Sequence, residues 1–227
     1  MKSKIILALF VTAATMIGCG ITPDENGLKT GDLIFVGLPW DYSLSDSTSI
    51  SSAIIEATGD KESLNMIHVA IAEVQGDSTW IIDATIKHGV DRYPLDTFLT
   101  DFTLRDGSHP AFIVKRVSGI DTEGFVENAK AFIGEPYDVY FLPENGAMYC
   151  SELVYDSYIN ADGDHLFDSE PMNFKNPDGE MPAYWEQLFA RLNAEVPQGI
   201  PGTNPQNMCN SAILETIDID LCNSFHK

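Results

Sequence analysis

Two β-rich runs joined by a short polar turn constrain the fold of this chain more than any other feature. The first extends from His68 to Val74 and the second from Trp80 to Ile86. Runs rich in Val, Ile and aromatic residues, with turn residues between them, predict strands. Gly76 and Asp77 lie in the turn, and glycine is favoured at the first central position of a type II′ hairpin. The sequence therefore predicts an antiparallel hairpin.

The register of this hairpin decides which polar side chains meet. A two-residue turn would place Gln75 opposite Ser78 and Ala70 opposite Asp83. His68 and Asp83 would then share a face as diagonal neighbours, about 7–8 Å apart at the backbone, whereas a slip of one residue would separate them. Asp83 is an acid in an otherwise apolar strand, and a buried carboxylate needs a partner. We therefore predict that Asp83 pairs with His68.

The remaining elements predict a mixed α+β fold in which an antiparallel sheet packs against helices. Apolar runs indicate further strands after Gly31-Asp32, at residues 33–36, and from Phe112 to Val117. Helical spacing of apolar residues predicts four helices, at residues 52–58, 122–133, 150–159 and 183–192. Residues 37–52, 160–182 and 197–207 have the composition of loops.

Length and charge limit the classes of function. A chain of 227 residues is long enough for one sizeable core. Its formal charge of -21 repels phosphate backbones, so we expect no nucleic-acid partner. The same charge disfavours peripheral binding to anionic lipid headgroups.

The N-terminus has the pattern of an export signal. Lys2 and Lys4 precede an apolar run that ends at Met16, and Ile17-Gly18-Cys19 follows. A basic start, a short apolar stretch and a small residue are typical of secretory signals. Cysteine after Ile-Gly resembles the bacterial lipobox, although a plain signal peptide is the alternative. We expect a signal peptide at 1–18, a lipidated tether at 19–29 with Cys19 acylated, and one domain at 30–227.

Cys150 is the candidate nucleophile. A turn-rich stretch precedes it and a helical pattern follows, so the residue is predicted at a helix N-terminus. The partial positive charge there favours a thiolate, and the free N–H groups can hold an oxyanion. A buried cysteine without reactivity is the alternative. In an exported protein Cys209 and Cys222 could form a disulfide, which would leave Cys150 free; the sequence leaves that pairing open.

His68 is the candidate base. A thiol nucleophile needs a proton acceptor, usually histidine. Among the five histidines only His68 leads directly into an apolar strand, which would hold it rigidly. Three others have loop-like surroundings, and one is in the C-terminal tail; they are His88, His109, His165 and His226. A histidine with a purely structural hydrogen bond is the alternative for His68.

Five stretches together resemble the circularly permuted, NlpC-like branch of the papain fold, the YiiX-like group. They are Gly31-Asp32-Leu33-Ile34-Phe35, His68-Val69-Ala70-Ile71, Ile82-Asp83-Ala84, Gly134-Glu135-Pro136-Tyr137-Asp138 and Cys150-Ser151-Glu152-Leu153-Val154-Tyr155. Gly202-Thr203-Asn204-Pro205 is a further similar piece. The last of the five stretches is the most specific. The histidine precedes the cysteine, as in the permuted group.

The resemblance implies roles for particular residues. Cys150 attacks, His68 takes the proton and Asp83 orients His68, at a position where similar proteins often have Glu. Tyr137 matches a tyrosine near the active site of the family. With Ser151 and Glu152, Tyr137 is expected to bind substrate or the oxyanion, although Glu152 could equally cap its helix.

These observations predict an exported cysteine amidohydrolase that needs no cofactor. The expected substrate is a cell-wall peptide, because the NlpC relatives and the export signal both point to it. The resemblance also allows an acyl amide or ester lipid as the substrate of a hydrolase or acyltransferase, and a non-catalytic binding lipoprotein of the envelope is a third hypothesis. A metal site is not expected, because neither C-x-x-C nor H-E-x-x-H occurs.

Overall fold

The computed structural model describes residues 27–43, 49–59 and 64–222. The predicted signal peptide and Cys19 lie outside these residues. The strands are β1 (Leu33–Leu38), β2 (Asn65–Gln75), β3 (Ser78–Thr85), β4 (Gly89–Pro94), β5 (Ala111–Val117), β6 (Glu170–Pro171), β7 (Pro201–Gly202) and β8 (Leu214–Ile217). The helices are α1 (Trp40–Ser43), α2 (Ile50–Thr58), α3 (Leu95–Asp101), α4 (Glu123–Ala131), α5 (Cys150–Ser157), α6 (Ala183–Leu192) and α7 (Pro205–Cys209).

Six of the strands form one antiparallel sheet in the order β4-β3-β2-β1-β5-β8. Gln75 pairs with Ser78 and Ile71 with Ile82, which confirms the predicted register of the β2–β3 hairpin. Gly76 has a φ of 60°, the left-handed value that the first position of a type II′ turn requires. The α+β class, an antiparallel sheet packed against helices, is confirmed.

The sheet separates two apolar cores. On β1, Leu33 and Phe35 face the core that contains α4 and α5, and Ile34 and Val36 face the core that contains α3. Every residue of this central strand is buried, so its sequence is apolar without alternation. The helix that begins at Cys150 is therefore anchored directly on the sheet.

Several elements differ from the sequence-based expectation. The sequence pattern did not predict β4, α3 or β8, because β4 is polar in sequence and α3 and β8 are short. The segments 160–182 and 197–207, predicted as loops, contribute β6 and β7, which pair with each other, and α7 begins inside the second segment. Short strands and helices depend on contacts across the fold, which hydrophobic periodicity does not report.

The Gly31-Asp32 motif is structural. Asp32 is fully buried, and Arg116 contacts both of its carboxylate oxygens, through Nε at 2.6 Å and Nη2 at 2.7 Å. Gly31 has a φ of 81°, and a Cβ atom there would lie 2.3 Å from Cβ of Thr122. The motif thus joins the start of β1 to β5 and to the segment before α4.

Cys209 and Cys222, the other two cysteines that the structure describes, are not bridged. Cys209 is buried and Cys222 is partly exposed, and both are free thiols, so the disulfide considered between them is not formed. Among the described residues no helix is long and apolar enough to cross a membrane.

Candidate active site

Cys150 is the first residue of α5. Tyr149 before it is extended, with φ −99° and ψ 167°, and the Glu152 carboxylate accepts the Tyr149 N–H at 3.4 Å. In this capping arrangement, an acidic side chain in the first helical turn accepts the backbone N–H of the residue that precedes the helix. The predicted placement of Cys150 at a helix N-terminus is confirmed.

The segment before the helix is held by a buried aspartate. Asp138 accepts the N–H groups of Tyr140 and Leu142, at 2.7 and 2.8 Å, and its own N–H donates to the Met148 carbonyl. A bridge between Tyr137 and Met148 runs alongside. The Gly134–Asp138 motif therefore fixes the chain that leads into Cys150, and it places Tyr137 beside that residue.

His68 lies in β2, next to an irregularity in the pairing of β1 with β2. Its Nε2 is 2.7 Å from Oδ2 of Asp83, as the register predicted. The imidazole packs against Phe102 and Phe98, with ring centroids 4.8 and 6.2 Å away. Two aromatic rings and one carboxylate thus hold the imidazole, whose other ring nitrogen is left for a second partner.

That second partner is Cys150. Burial by itself lowers the pKa of His68. The charge of Cys150, hydrogen bonds to Asp83 and Cys150 and the charge of Asp83 outweigh burial and raise this pKa to about 10. His68 therefore lies between Asp83, to which it is hydrogen-bonded, and Cys150, and these neighbours favour the cationic form of its imidazole.

Asp83 has a further donor that sequence analysis missed. The Tyr93 hydroxyl donates to Oδ1 of Asp83 at 2.6 Å, so each carboxylate oxygen has a partner. Tyr93 pairs with Ile81 across β3 and β4, which makes it a diagonal neighbour of Asp83. Burial and the nearby Asp83 raise the pKa of Tyr93, so the hydroxyl stays protonated as a donor. Finding it required the position of β4, which the sequence pattern did not reveal.

A cleft of about 540 Å³, open to solvent, lies beside Cys150. Most of its lining is apolar or aromatic and comes from α2, α6 and the segments around residues 141 and 173. These apolar and aromatic side chains are Ile54, Ala57, Tyr137, Phe141, Tyr149, Met172, Phe174, Trp185 and Pro205. Its polar members are Thr58, Ser151, Asn173, Thr203 and Asn204. Within the part of the chain that the structure describes, no Lys or Arg side chain lines it.

The three predicted binding residues occupy different surroundings. Tyr137 lines the cleft, and burial together with the charge of Cys150 raises the pKa of its hydroxyl, which stays neutral. Ser151 also lines the cleft, but its fully buried hydroxyl accepts a hydrogen bond from Thr203 at 3.0 Å. Glu152 is outside the lining and caps its helix; burial raises its pKa to about 8.

The other described histidines lie elsewhere. His88 contacts Asp101 at 2.9 Å, and exposed His165 stacks on Tyr155. His109 is exposed, and His226 is outside the described residues. Over residues 27–43, 49–59 and 64–222, no group of three or more His, Cys, Asp or Glu side chains is placed to hold a metal ion.

A sheet packed against a helix that begins with cysteine, with histidine on the sheet, defines a papain-like fold, here in permuted order. The chain belongs to the family described as permuted papain-like amidase enzymes, YaeF/YiiX, C92 family, whose sequence model matches residues 27–218. This membership confirms the predicted YiiX-like group. It also makes the protein a member of a cysteine amidase and peptidase family.

Two relatives are similar over most of their length. The Escherichia coli K12 protein YiiX, described as uncharacterized, is 26% identical over 194 residues, covering 83% of this chain and 85% of that protein. A crystal structure of yiiX from Escherichia coli O157:H7, described as a metalloprotein, superposes with a TM-score of 0.63 at 24% identity. It covers 85% of this chain and 97% of the other, and it supports the fold. In the residues of this chain that the structure describes, no cluster of three or more His, Cys, Asp or Glu side chains could hold a metal ion.

Proposed function

We propose that this protein is a cysteine hydrolase that cleaves amide bonds through a thioester on Cys150. The observation that supports the proposal is the 2.7 Å contact between His68 and Asp83, together with the closeness of Cys150 to the same imidazole. A nucleophile, a base and a group that orients the base are the three parts that such chemistry needs. Two of the three come from one hairpin, and the third comes from a helix anchored on the same sheet.

The reaction follows from these positions. The cationic His68 stabilises negative charge on Cys150 Sγ, which attacks the carbonyl carbon. His68 then gives its proton to the leaving amine as the C–N bond breaks, which leaves a thioester. The neutral imidazole takes a proton from water, the hydroxide attacks the thioester, and the acid leaves as the thiolate and the cationic imidazole are restored.

The charge that develops on the carbonyl oxygen needs donors. Backbone N–H groups in the first turn of α5 have no helical partner and carry partial positive charge. Tyr137 lines the same cleft, and its raised pKa keeps its hydroxyl protonated. We assign oxyanion stabilisation to these groups. The hydroxyl of Ser151 is already bonded to Thr203, so Ser151 contributes its backbone N–H rather than its side chain.

Two substrate classes fit the reaction. Cell-wall peptide follows from the NlpC relationship, but such peptides carry carboxylates, and the cleft lining that the structure describes is mostly aromatic and aliphatic, with no Lys or Arg in it. An apolar acyl group would be desolvated favourably there, at roughly 0.8 kcal/mol per buried methylene. The lining therefore favours an N-acyl amide or acyl ester as the substrate, with an acyltransferase as the variant in which an alcohol or amine replaces water.

The test is a product screen by mass spectrometry. Purified protein is incubated with muropeptides and with N-acyl amides of varied chain length, and Cys150→Ala is the matched control. We expect the free acid and amine from the acyl amides, with none from the control. If products form from muropeptides alone, the preference for acyl substrates is overturned, whereas the proposed amide cleavage by Cys150 still holds. If neither class is cleaved and Cys150 reacts like an ordinary thiol, a non-catalytic binding protein is the better description.

We further propose that the protein is exported and anchored through a lipid on Cys19. Only the N-terminal sequence pattern supports this, through its basic start, apolar run and Ile-Gly-Cys. In a bacterial host, labelled palmitate should enter the wild-type protein but not the Cys19→Ala variant. Equal labelling of both, or of neither, would contradict the anchor.

A further inference from the structure

The segment Gly202–Gln206 touches both flanks of Cys150. The Thr203 hydroxyl donates to Oγ of Ser151 at 3.0 Å, and the Thr203 N–H donates to the Tyr149 hydroxyl at 3.0 Å. Tyr149 and Ser151 are the neighbours of Cys150 in the chain, and both are buried. One residue, distant in sequence, therefore bonds to the residues on either side of the cysteine.

The same segment also reaches the strand that carries His68. The side-chain oxygen of Gln206 accepts the N–H of Met66 at 2.8 Å, two residues before His68 on β2. Asn204 begins α7 by accepting the N–H of Asn207 at 2.8 Å, so the connection is rigid rather than a flexible loop. The segment thus links the element that carries the cysteine to the element that carries the histidine.

The packing around this segment leaves little freedom. A Cβ atom at Gly202 would lie 2.5 Å from Sδ of Met172 and 2.9 Å from the Tyr149 hydroxyl oxygen. Thr203, Asn204 and Pro205 also form part of the cleft wall next to Cys150. The backbone is consequently held close to Tyr149, and the position of Thr203 is set by contacts on both sides.

We propose that Thr203 is a positioning residue, which fixes the first turn of α5 so that the Cys150 thiol meets the imidazole of His68. This inference rests on the proposed function. The thiol and the imidazole belong to separate elements, and a displacement of about 1 Å between reacting groups can cost on the order of 100-fold in rate. The hydroxyl of Thr203 acts through Ser151 and needs no contact with the substrate.

The test compares Thr203→Val with Thr203→Ser. Valine keeps the shape and the backbone N–H but removes the hydroxyl donor, whereas serine keeps that donor. The measurement is the alkylation rate of Cys150 by iodoacetamide as a function of pH, followed on the cysteine-containing peptide by mass spectrometry. It needs no substrate, and N-acetylcysteine serves as the ordinary thiol.

We expect Thr203→Val to lower the alkylation rate at about pH 6 by roughly tenfold and Thr203→Ser to stay within about twofold of the wild type, as for the loss of one hydrogen bond. Wild-type rates for Thr203→Val, or an equal loss in both variants, would overturn the positioning role. A wild-type Cys150 no faster than N-acetylcysteine would instead count against the proposed function.

If Thr203→Val does not fold, Gln206→Met provides the second test. This variant breaks the bond to the Met66 N–H and should also slow the alkylation of Cys150. An unchanged alkylation rate in Gln206→Met would overturn the proposed link between the two elements.

Discussion

The carboxylate of Asp83 lies 2.7 Å from Nε2 of His68, across a hairpin whose register places both side chains on one face. The contact is buried, and Asp83 is fully inaccessible to solvent. It leaves the opposite edge of the imidazole for Cys150. Burial lowers the pKa of His68, but the charge of Cys150 and the contact with Asp83 outweigh it and favour the cationic imidazole.

Removing the charge of Asp83 should impair the reaction more than it impairs the fold. Asp83→Asn keeps the shape but has no charge to stabilise the imidazolium, so kcat/KM should fall by at least ~100-fold, within the range known for such triads. Tyr93→Phe removes only the donor to the other carboxylate oxygen and should cost about tenfold, as for one lost hydrogen bond. Kinetics on the substrate from the product screen check both values. Equal activity of Asp83→Asn and wild type would rule out the orienting role.

Glu152 should make stability fall as pH rises. Burial raises its folded-state pKa from 4.5 to about 8, so the folded protein binds a proton that the unfolded chain releases. Its contribution is present below about pH 4.5 and is lost as pH rises through about 8. Glu152→Gln, neutral at every pH, should therefore lose less stability than wild type between pH 5 and 9, which thermal unfolding can measure. Glu123→Gln, exposed in the first turn of α4, is the control, and an identical pH profile for all three proteins would contradict the assignment.

The Asp32–Arg116 pair should matter for stability. Arg116→Met would leave Asp32 fully buried without its cation, at a cost of about 3–5 kcal/mol. Urea unfolding measures the difference, and Arg191→Met at the exposed end of α6 is the control. A change below about 0.5 kcal/mol, typical of surface substitutions, would mean that the buried carboxylate has found other partners.

The cleft wall should set the preference for acyl chain length. Ala57 lines the cleft from α2, and Ala57→Phe would fill part of it. We expect kcat/KM to fall about tenfold or more for long acyl chains and to change little for short ones, because each methylene excluded loses roughly 0.8 kcal/mol. Ala131→Phe, at the exposed end of α4, is the control. A uniform loss for all chain lengths would show that the acyl group lies elsewhere.

The sequence predicted the parts of the site that depend on local pattern. A glycine in the turn determined the β2–β3 register and hence the meeting of His68 with Asp83, and a helical pattern after a turn placed Cys150 at a helix start. The sequence predicted no role for Tyr93 or Thr203, because each acts through a contact between elements distant in the chain. Tyr93 lies on a strand of polar sequence, and Thr203 lies in a segment whose composition is that of a loop.

The alkylation rate of Cys150 at about pH 6, in the wild type and in His68→Asn, tests the central claim most directly. A cationic imidazole beside the sulfur should make Cys150 a faster nucleophile in mild acid than an ordinary thiol. We predict that wild-type Cys150 reacts at least about tenfold faster than N-acetylcysteine and that His68→Asn abolishes this advantage. A wild-type rate equal to that of N-acetylcysteine, or a rate that His68→Asn leaves unchanged, would contradict the account.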